Sequence, residues 1–233
     1  MTERNDGRYF HVIAHIHTDF PTKFGIPRQS GLVDALKAEI VFEPEYRNPD
    51  ALRGIEEFSH IWLIWEFSEA VRETWSPTVR PPRLGGNKRI GVFATRSPFR
   101  PNAVGLSSVR LDSVELHTER GPVLHVSGAD LMDGTPIYDI KPYLPFVDSH
   151  PEATGSFTVQ TKEYGLQVEI LEEILQIVEE SKREALRAVL AHDPRPSYQN
   201  DPGRIYGMEF AGYEVKFRVC EGILYVTEIA WKR

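Results

Sequence analysis

Arg96 and Arg100 stand four residues apart in the string Ala94-Thr-Arg-Ser-Pro-Phe-Arg-Pro-Asn102, where two prolines stiffen the chain around them. A guanidinium held in a rigid turn grips a carboxylate or phosphate through paired charge-assisted hydrogen bonds. The string therefore reads as an anion-binding loop at a strand end, against the plainer reading of a hairpin with solvated arginines. The surrounding charge favours the anion. Arg80, Arg83, Lys88, Arg89, Arg96, Arg100 and Arg110 crowd one stretch that has no Asp or Glu from position 74 to 111. The chain as a whole carries −7, so the remainder outside that stretch carries about −14. Such segregation costs self-repulsion unless an anionic partner sits against the basic segment, and nucleic acid is the leading candidate.

Other strings carry weaker chemistry. Leu131-Met-Asp133-Gly134-Thr135-Pro136-Ile137-Tyr138-Asp139 is an Asp-Gly turn running into a strand, and a turn carboxylate beside an anion site can bind ribose hydroxyls or an ammonium group, or serve as a base. Lys23-Phe-Gly-Ile-Pro27-Arg28-Gln29-Ser-Gly31 is another Pro/Gly loop with an arginine and an amide. Asp193-Pro-Arg195-Pro-Ser-Tyr198 reads either as a helix stop or as an Arg/Tyr pair able to stack and pair with a nucleotide. His11, His15 and His17 alternate on one strand face next to Asp19, the start of a metal set that no Cys, further His or spaced carboxylate completes. His60 reads as a core or strand-end residue, and Cys220 is the single cysteine, which excludes an internal disulfide and suits a reducing compartment. No Gly-rich strand-to-helix turn, P-loop or nucleophile elbow occurs, so Rossmann-type cofactor binding is not expected.

These residues need elements to position them. With 41% hydrophobic and 11% aromatic residues the chain can bury a core. Strands are expected at Tyr9–Thr18, Glu39–Phe42, Ile61–Phe67, Ile90–Thr95, Val104–Val114 and Val123–Ser127, with short helices near 50–58 and 69–74. Many short strands without interleaved helices favour a barrel or sandwich. Periodicity fades near 149–165. Beyond it, 167–191 reads as one amphipathic helix through Leu171, Ile174, Leu175, Val178, Ala185 and Val189. Tyr206–Phe210, Tyr213–Val219 and Leu224–Trp231 alternate like strands, the last two joined at Glu221-Gly222. The organisation expected is a mainly β domain over 1–150 and a small α+β domain over 151–233 that contacts the nucleic acid. The polar N-terminus lacks an apolar leader, and the run Ile61–Trp65 is too short to span a bilayer, so a cytoplasmic protein without membrane contact is expected.

Pro81-Pro-Arg-Leu-Gly-Gly-Asn, Ile90-Gly-Val-Phe-Ala-Thr-Arg-Ser, Phe99-Arg-Pro-Asn, Asp133-Gly-Thr-Pro and Asp139-Ile-Lys-Pro-Tyr-Leu-Pro resemble the TrmO family, also described as TsaA-like or YaeB-like, and Asp193-Pro-Arg-Pro-Ser-Tyr and Arg204-Ile-Tyr-Gly resemble the C-terminal extension of its bacterial members. The resemblance implies a single β-barrel methyltransferase of non-Rossmann type, homodimeric, that uses S-adenosylmethionine to methylate N6 of threonylcarbamoyladenosine at position 37 of threonine tRNA. It carries cofactor contacts onto Pro27, Arg28, Gln29, Phe67, Ser68, Arg96, Leu106, Asp133, Gly134, Thr135 and Pro136. Two departures stand out: relatives often have His where Ser68 stands, and Arg-Ser-Pro where this chain has His17-Thr18-Asp19. Asp133 and Tyr138 are then the expected general-base candidates, and Arg100, Arg195, Tyr198 and Tyr206 the expected tRNA contacts. Two other readings remain at this point: a noncatalytic RNA-binding barrel, and a metal hydrolase built on the three histidines.

Overall fold

The computed structural model describes residues 9–72, 74–81, 88–156, 158, 165–195 and 201–232. Its first half is a closed antiparallel barrel. The strands are β1 (Ala14–His17), β2 (Lys37–Phe42), β3 (His60–Glu66), β6 (Val104–Glu115), β7 (Val123–Ser127) and β8 (Thr135–Pro142), hydrogen-bonded in the order β1-β2-β7-β6-β3-β8, with β8 returning to β1. Closure leaves no unpaired edge. Alternation decides which side chains fill it: along β3, Ile61, Leu63 and Trp65 are buried and the residues between them are not. Ala14, Ile16, Ile40, Leu124, Val126 and Ile137 complete a core with no solvent exposure. A register shift where β3 meets β8 leaves Tyr138 between the pairs Ile64–Asp139 and Trp65–Ile137.

A small ribbon, β4 (Thr78–Val79) with β5 (Ile90–Gly91), stands beside the barrel. The strand expected over 90–95 stops at Gly91: Val92–Ala94 is a single 3-10 turn closed by Thr95, whose amide and hydroxyl both donate to the Val92 carbonyl. The strand expected from Tyr9 begins only at Ala14, because its partner β2 ends at Phe42 and Pro44 opens a 3-10 turn. The short helices expected near 50–58 and 69–74 are 3-10 turns at Pro49–Leu52, Ile55–Glu57 and Ser68–Ala70.

After the short helix α1 (Pro145–Asp148) come β9 (Gln167–Glu169), α2 (Glu172–Leu175), α3 (Glu180–Ala191), β10 (Tyr206–Phe210), β11 (Tyr213–Cys220) and β12 (Ile223–Trp231). The single helix expected over 167–191 is therefore three elements. Leu166, Val168 and Ile170 also satisfy a period of two, and the free edge of β12 takes them as a parallel strand, giving the sheet order β10-β11-β12-β9. Extended backbone at Leu171 and at Glu179 then starts each helix afresh. Glu221 and Gly222, both at positive φ, form the expected hairpin turn between β11 and β12.

The second core is not built from the C-terminal residues alone. The loop joining β1 to β2 runs out of the barrel and buries Phe20, Val33 and Leu36 among Leu186, Leu190, Met208 and Phe210. Phe20 meets Phe210 edge to face at 5.4 Å.

Candidate active site

A cavity of about 580 Å³ opens at the barrel end where β3 finishes and β6 and β8 begin, within the size range of small-molecule sites. Among its lining carboxylates is Asp130. The Trp65 indole donates to the Ser107 hydroxyl at 3.0 Å, and that hydroxyl donates to Asp130 Oδ1 at 2.6 Å. Burial pushes the Asp130 carboxyl above the ordinary aspartate range, while Ser107, the backbone amides of Asp130 and Ser30, and the charge of Arg96 pull the other way. The chain makes room for this arrangement by omission. Trp65 lies over Gly105, where an added Cβ would stand 2.3 Å from the ring. Phe67 packs on Trp65 with ring centroids 4.2 Å apart, extending an aromatic wall.

A second carboxylate, Glu66, lies on the same wall and accepts a hydrogen bond from Tyr138. Burial first, then Glu66, pushes the Tyr138 phenol up to about 12, so it stays protonated at neutral pH and is a donor rather than a base.

The remaining wall is cationic and made of loops. Pro27, Arg28 and Gln29 approach from the β1–β2 loop, and Arg96 donates to the Gln29 side-chain oxygen. Arg100 turns back to donate to the carbonyls of Thr95 at 2.9 Å and Ser97 at 3.3 Å, which fixes the arc that presents Arg96. The β1–β2 loop is itself braced by the C-terminal sheet and helix. Lys182 on α3 holds both oxygens of Asp19 at 2.8 and 2.7 Å, Ala211 donates its amide to the Asp19 carbonyl at 2.8 Å, and His192 bonds the Leu32 carbonyl at 3.0 Å. Arg28 reaches the Arg195 carbonyl at 3.5 Å.

Of the residues expected from the sequence, Pro27, Arg28, Gln29, Phe67, Ser68, Arg96, Leu106 and Thr135 come together on this cavity, joined by Arg100. Asp133, Gly134, Pro136 and Tyr138 are not among its lining residues. Asp133 accepts the Thr18 amide at 3.0 Å and faces His17 at 3.3 Å, so its carboxylate ties the β8 turn to the end of β1. Arg195 is only 7% exposed and grips Asp193 through Nε and Nη2 at 2.8 and 2.9 Å. Tyr206, 5% exposed, stacks on Phe217 inside the second core. Both side chains are therefore largely buried, although Arg195 still lines a wider groove beside the cavity. Tyr198 lies outside the described residues. His15 pairs with Glu43 and His17 with Asp133, and no metal-holding group of three or more His, Cys, Asp or Glu occurs among the described residues. Sequence reasoning passed over Trp65, Glu66, Gly105 and Asp130. A signal for part of this exists: Gly105 and Ser107 are small residues at inward positions of β6, where a filled barrel calls for aliphatic ones.

Among the described residues, no helix is long and apolar enough to cross a membrane. The family models for the tRNA-methyltransferase O N-terminal domain and the TrmO C-terminal domain match residues 15–149 and 163–232. The chain is 41% identical over 220 residues to a tRNA (adenine(37)-N6)-methyltransferase of Escherichia coli K12, covering 91% of this chain and 93% of that one. It is 46% identical over 173 residues to a protein of the same name from Eikenella corrodens, covering 74% and 97%. The crystal structure of TrmO from Pseudomonas aeruginosa superposes with a TM-score of 0.79 at 32% identity, covering 98% of this chain and 99% of that one.

Proposed function

The chain belongs to the TrmO family of β-barrel methyltransferases, and from that premise we propose that its cavity holds S-adenosylmethionine beside N6 of threonylcarbamoyladenosine at position 37 of tRNA. The observation that carries this reading is the convergence, on one barrel end, of a partly desolvated carboxylate, a second carboxylate, an aromatic wall and three arginines.

The donor set suits the cofactor. S-adenosylmethionine presents a carboxylate, an ammonium group, an adenine and a positively charged sulfur. Arg96 and Arg28 answer its carboxylate, Glu66 answers its cationic groups, and Trp65, Phe67 and Leu106 offer an apolar wall for the adenine. When bound, it supplies an electrophilic methyl group on a sulfonium.

The residues of the chain then have one hard task. N6 of the substrate belongs to a urea, its lone pair is delocalised, and its proton must leave as the new carbon–nitrogen bond forms. We assign that proton to Asp130. Its carboxylate lines the cavity, Ser107 fixes its orientation, and burial makes it a stronger proton acceptor than an exposed aspartate. Neither Asp133, engaged in its turn, nor Tyr138, protonated, is placed for the role. Arg100 and the remaining donors of Arg28 and Arg96 are available to the threonyl carboxylate of the substrate. We also propose that the protein acts as a homodimer in the cytoplasm, where its tRNA substrate is found.

The direct test is calorimetry with S-adenosylmethionine, alongside methyl transfer to tRNA. Micromolar binding, about −8 kcal/mol, that is lost in Arg96→Ala supports the site. Binding of tRNA without any cofactor affinity would leave a noncatalytic RNA-binding barrel instead.

A further inference from the structure

A second concavity, a groove of about 1660 Å³, adjoins the cavity and shares Arg96, Phe99 and Arg100 with it. Its far wall holds two aromatic rings that the fold does not bury: Trp75 is 52% and Phe93 74% exposed, with centroids 6.1 Å apart and planes tilted by 31°. A third ring, Phe99, lies where groove and cavity meet, with the Arg72 guanidinium 3.8 Å from its centroid. Arg80 and Arg89 flank the paired residues Val79 and Ile90, so the ribbon presents both exposed cations at one end, on the wall of the same groove. Described residues of the acid-free run thus line a trough of separated rings and guanidiniums beside the cavity.

We propose that this trough binds unpaired nucleotides of the tRNA anticodon loop flanking the modified adenosine, with bases stacked on Trp75 and Phe93 and phosphates paired with Arg80 and Arg89. The proposal rests on the methyltransferase reading above and adds where the rest of the loop lies. Charge complementarity supplies the phosphate contacts. Exposed rings beside cations are what single-stranded nucleic acid needs, since every base offers a π-face and only an unpaired base can present it. A duplex would engage the arginines and leave the rings unused.

The experiment compares binding of a tRNA anticodon stem-loop with binding of a blunt RNA duplex of equal charge, for the wild-type protein and for Trp75→Ala, Phe93→Ala and Trp75→Phe. Each alanine variant is expected to lose roughly 5- to 150-fold in stem-loop affinity with little change for the duplex, and Trp75→Phe recovers most of that loss. S-adenosylhomocysteine affinity stays at the wild-type value in all three, because neither ring lines the cavity, and this also shows that the variants are folded. Arg89→Gln lowers the salt dependence of stem-loop binding by about 0.7 in the log–log slope. Unchanged stem-loop affinity in both alanine variants, or an equal loss for loop and duplex, overturns the proposal. Methyl transfer by the wild-type protein, measured in parallel, tests the parent reading separately, so transfer with unaltered affinity in the ring variants removes the groove alone.

Discussion

Lys182→Met tests whether the C-terminal unit serves the cofactor cavity from behind. Lys182 Nζ sits 2.8 and 2.7 Å from the two oxygens of Asp19, and the two side chains are 29% and 13% exposed. Breaking a fully buried pair costs about 3–5 kcal/mol, and losing a hydrogen bond to a charged partner about 1.5–3 kcal/mol. Water reaches part of this pair, so the lower range applies and about 2 kcal/mol of stability is expected to go. A domain stable by about 5–15 kcal/mol survives that. The functional consequence is local. Asp19 anchors the loop that carries Pro27, Arg28 and Gln29 to the cavity, and further braces come from the C-terminal unit at Ala211 and His192 and from the barrel at Gly128 and Asp133.

If half or more of the lost energy is felt by the loop, S-adenosylhomocysteine affinity falls by roughly 5- to 30-fold, at 1.4 kcal/mol per tenfold. Urea denaturation and calorimetry on Lys182→Met, Asp19→Asn and the double variant give the coupling between the two side chains and its share in binding. A stability loss of about 2 kcal/mol with wild-type cofactor affinity would refute the bracing argument. A loss below about 0.5 kcal/mol would show the pair to be an ordinary solvated one.

The remaining predictions concern the cavity. Asp130→Asn is expected to abolish transfer while S-adenosylhomocysteine still binds, measured by single-turnover methylation beside calorimetry; retained transfer removes the base role. With wild-type protein, transfer rises as pH climbs through the folded-state value of Asp130, which lies above the ordinary aspartate range, and Asp130→Asn removes that limb from the pH–rate profile. The stability effect has the opposite sense. A carboxyl raised in the folded state favours folding below its unfolded pKa of about 3.9 and loses that contribution as pH rises through the folded value, so Asp130→Asn unfolds at no lower temperature than wild type near pH 7. Gly105→Ala forces a methyl against the Trp65 ring, costs about 1–3 kcal/mol by overpacking, and lowers cofactor affinity. Thermal unfolding and calorimetry check both, and a neutral substitution would mean that Trp65 is free to move.

Much of the barrel was legible because each strand reports its own two faces. Val123–Ser127 is the strand the alternation marked, and β3 and β6 differ from expectation by a residue or two at their ends. The run from 167 to 191 was misread because Leu166, Val168, Ile170 and Ile174 satisfy both periods, and only the open edge of β12 decides between them. An edge vacancy is a property of the assembled sheet and leaves no mark on the local sequence.

The same division runs through the site. Arg96 and the Pro27–Gln29 turn were legible as rigid loops bearing arginines, and the fold brings them to one cavity. Asp130, Trp65 and Gly105 were not, because their meaning comes from barrel closure, which sets a glycine under an indole and a serine between that indole and a carboxylate. Arg195 shows what the local string leaves out. An arginine beside a tyrosine suggested a nucleotide contact, yet the aspartate two residues earlier, at a φ of 52°, turns its carboxylate onto the guanidinium and takes it into the interior. That burial bears on the division of labour. With Arg195 and Tyr206 largely buried, described C-terminal residues brace the β1–β2 loop, while the exposed rings Trp75, Phe93 and Phe99 on the groove wall all come from the acid-free stretch. The net charge of −7 thus coexists with a group of three arginines, Arg28, Arg96 and Arg100, on the wall of one cavity.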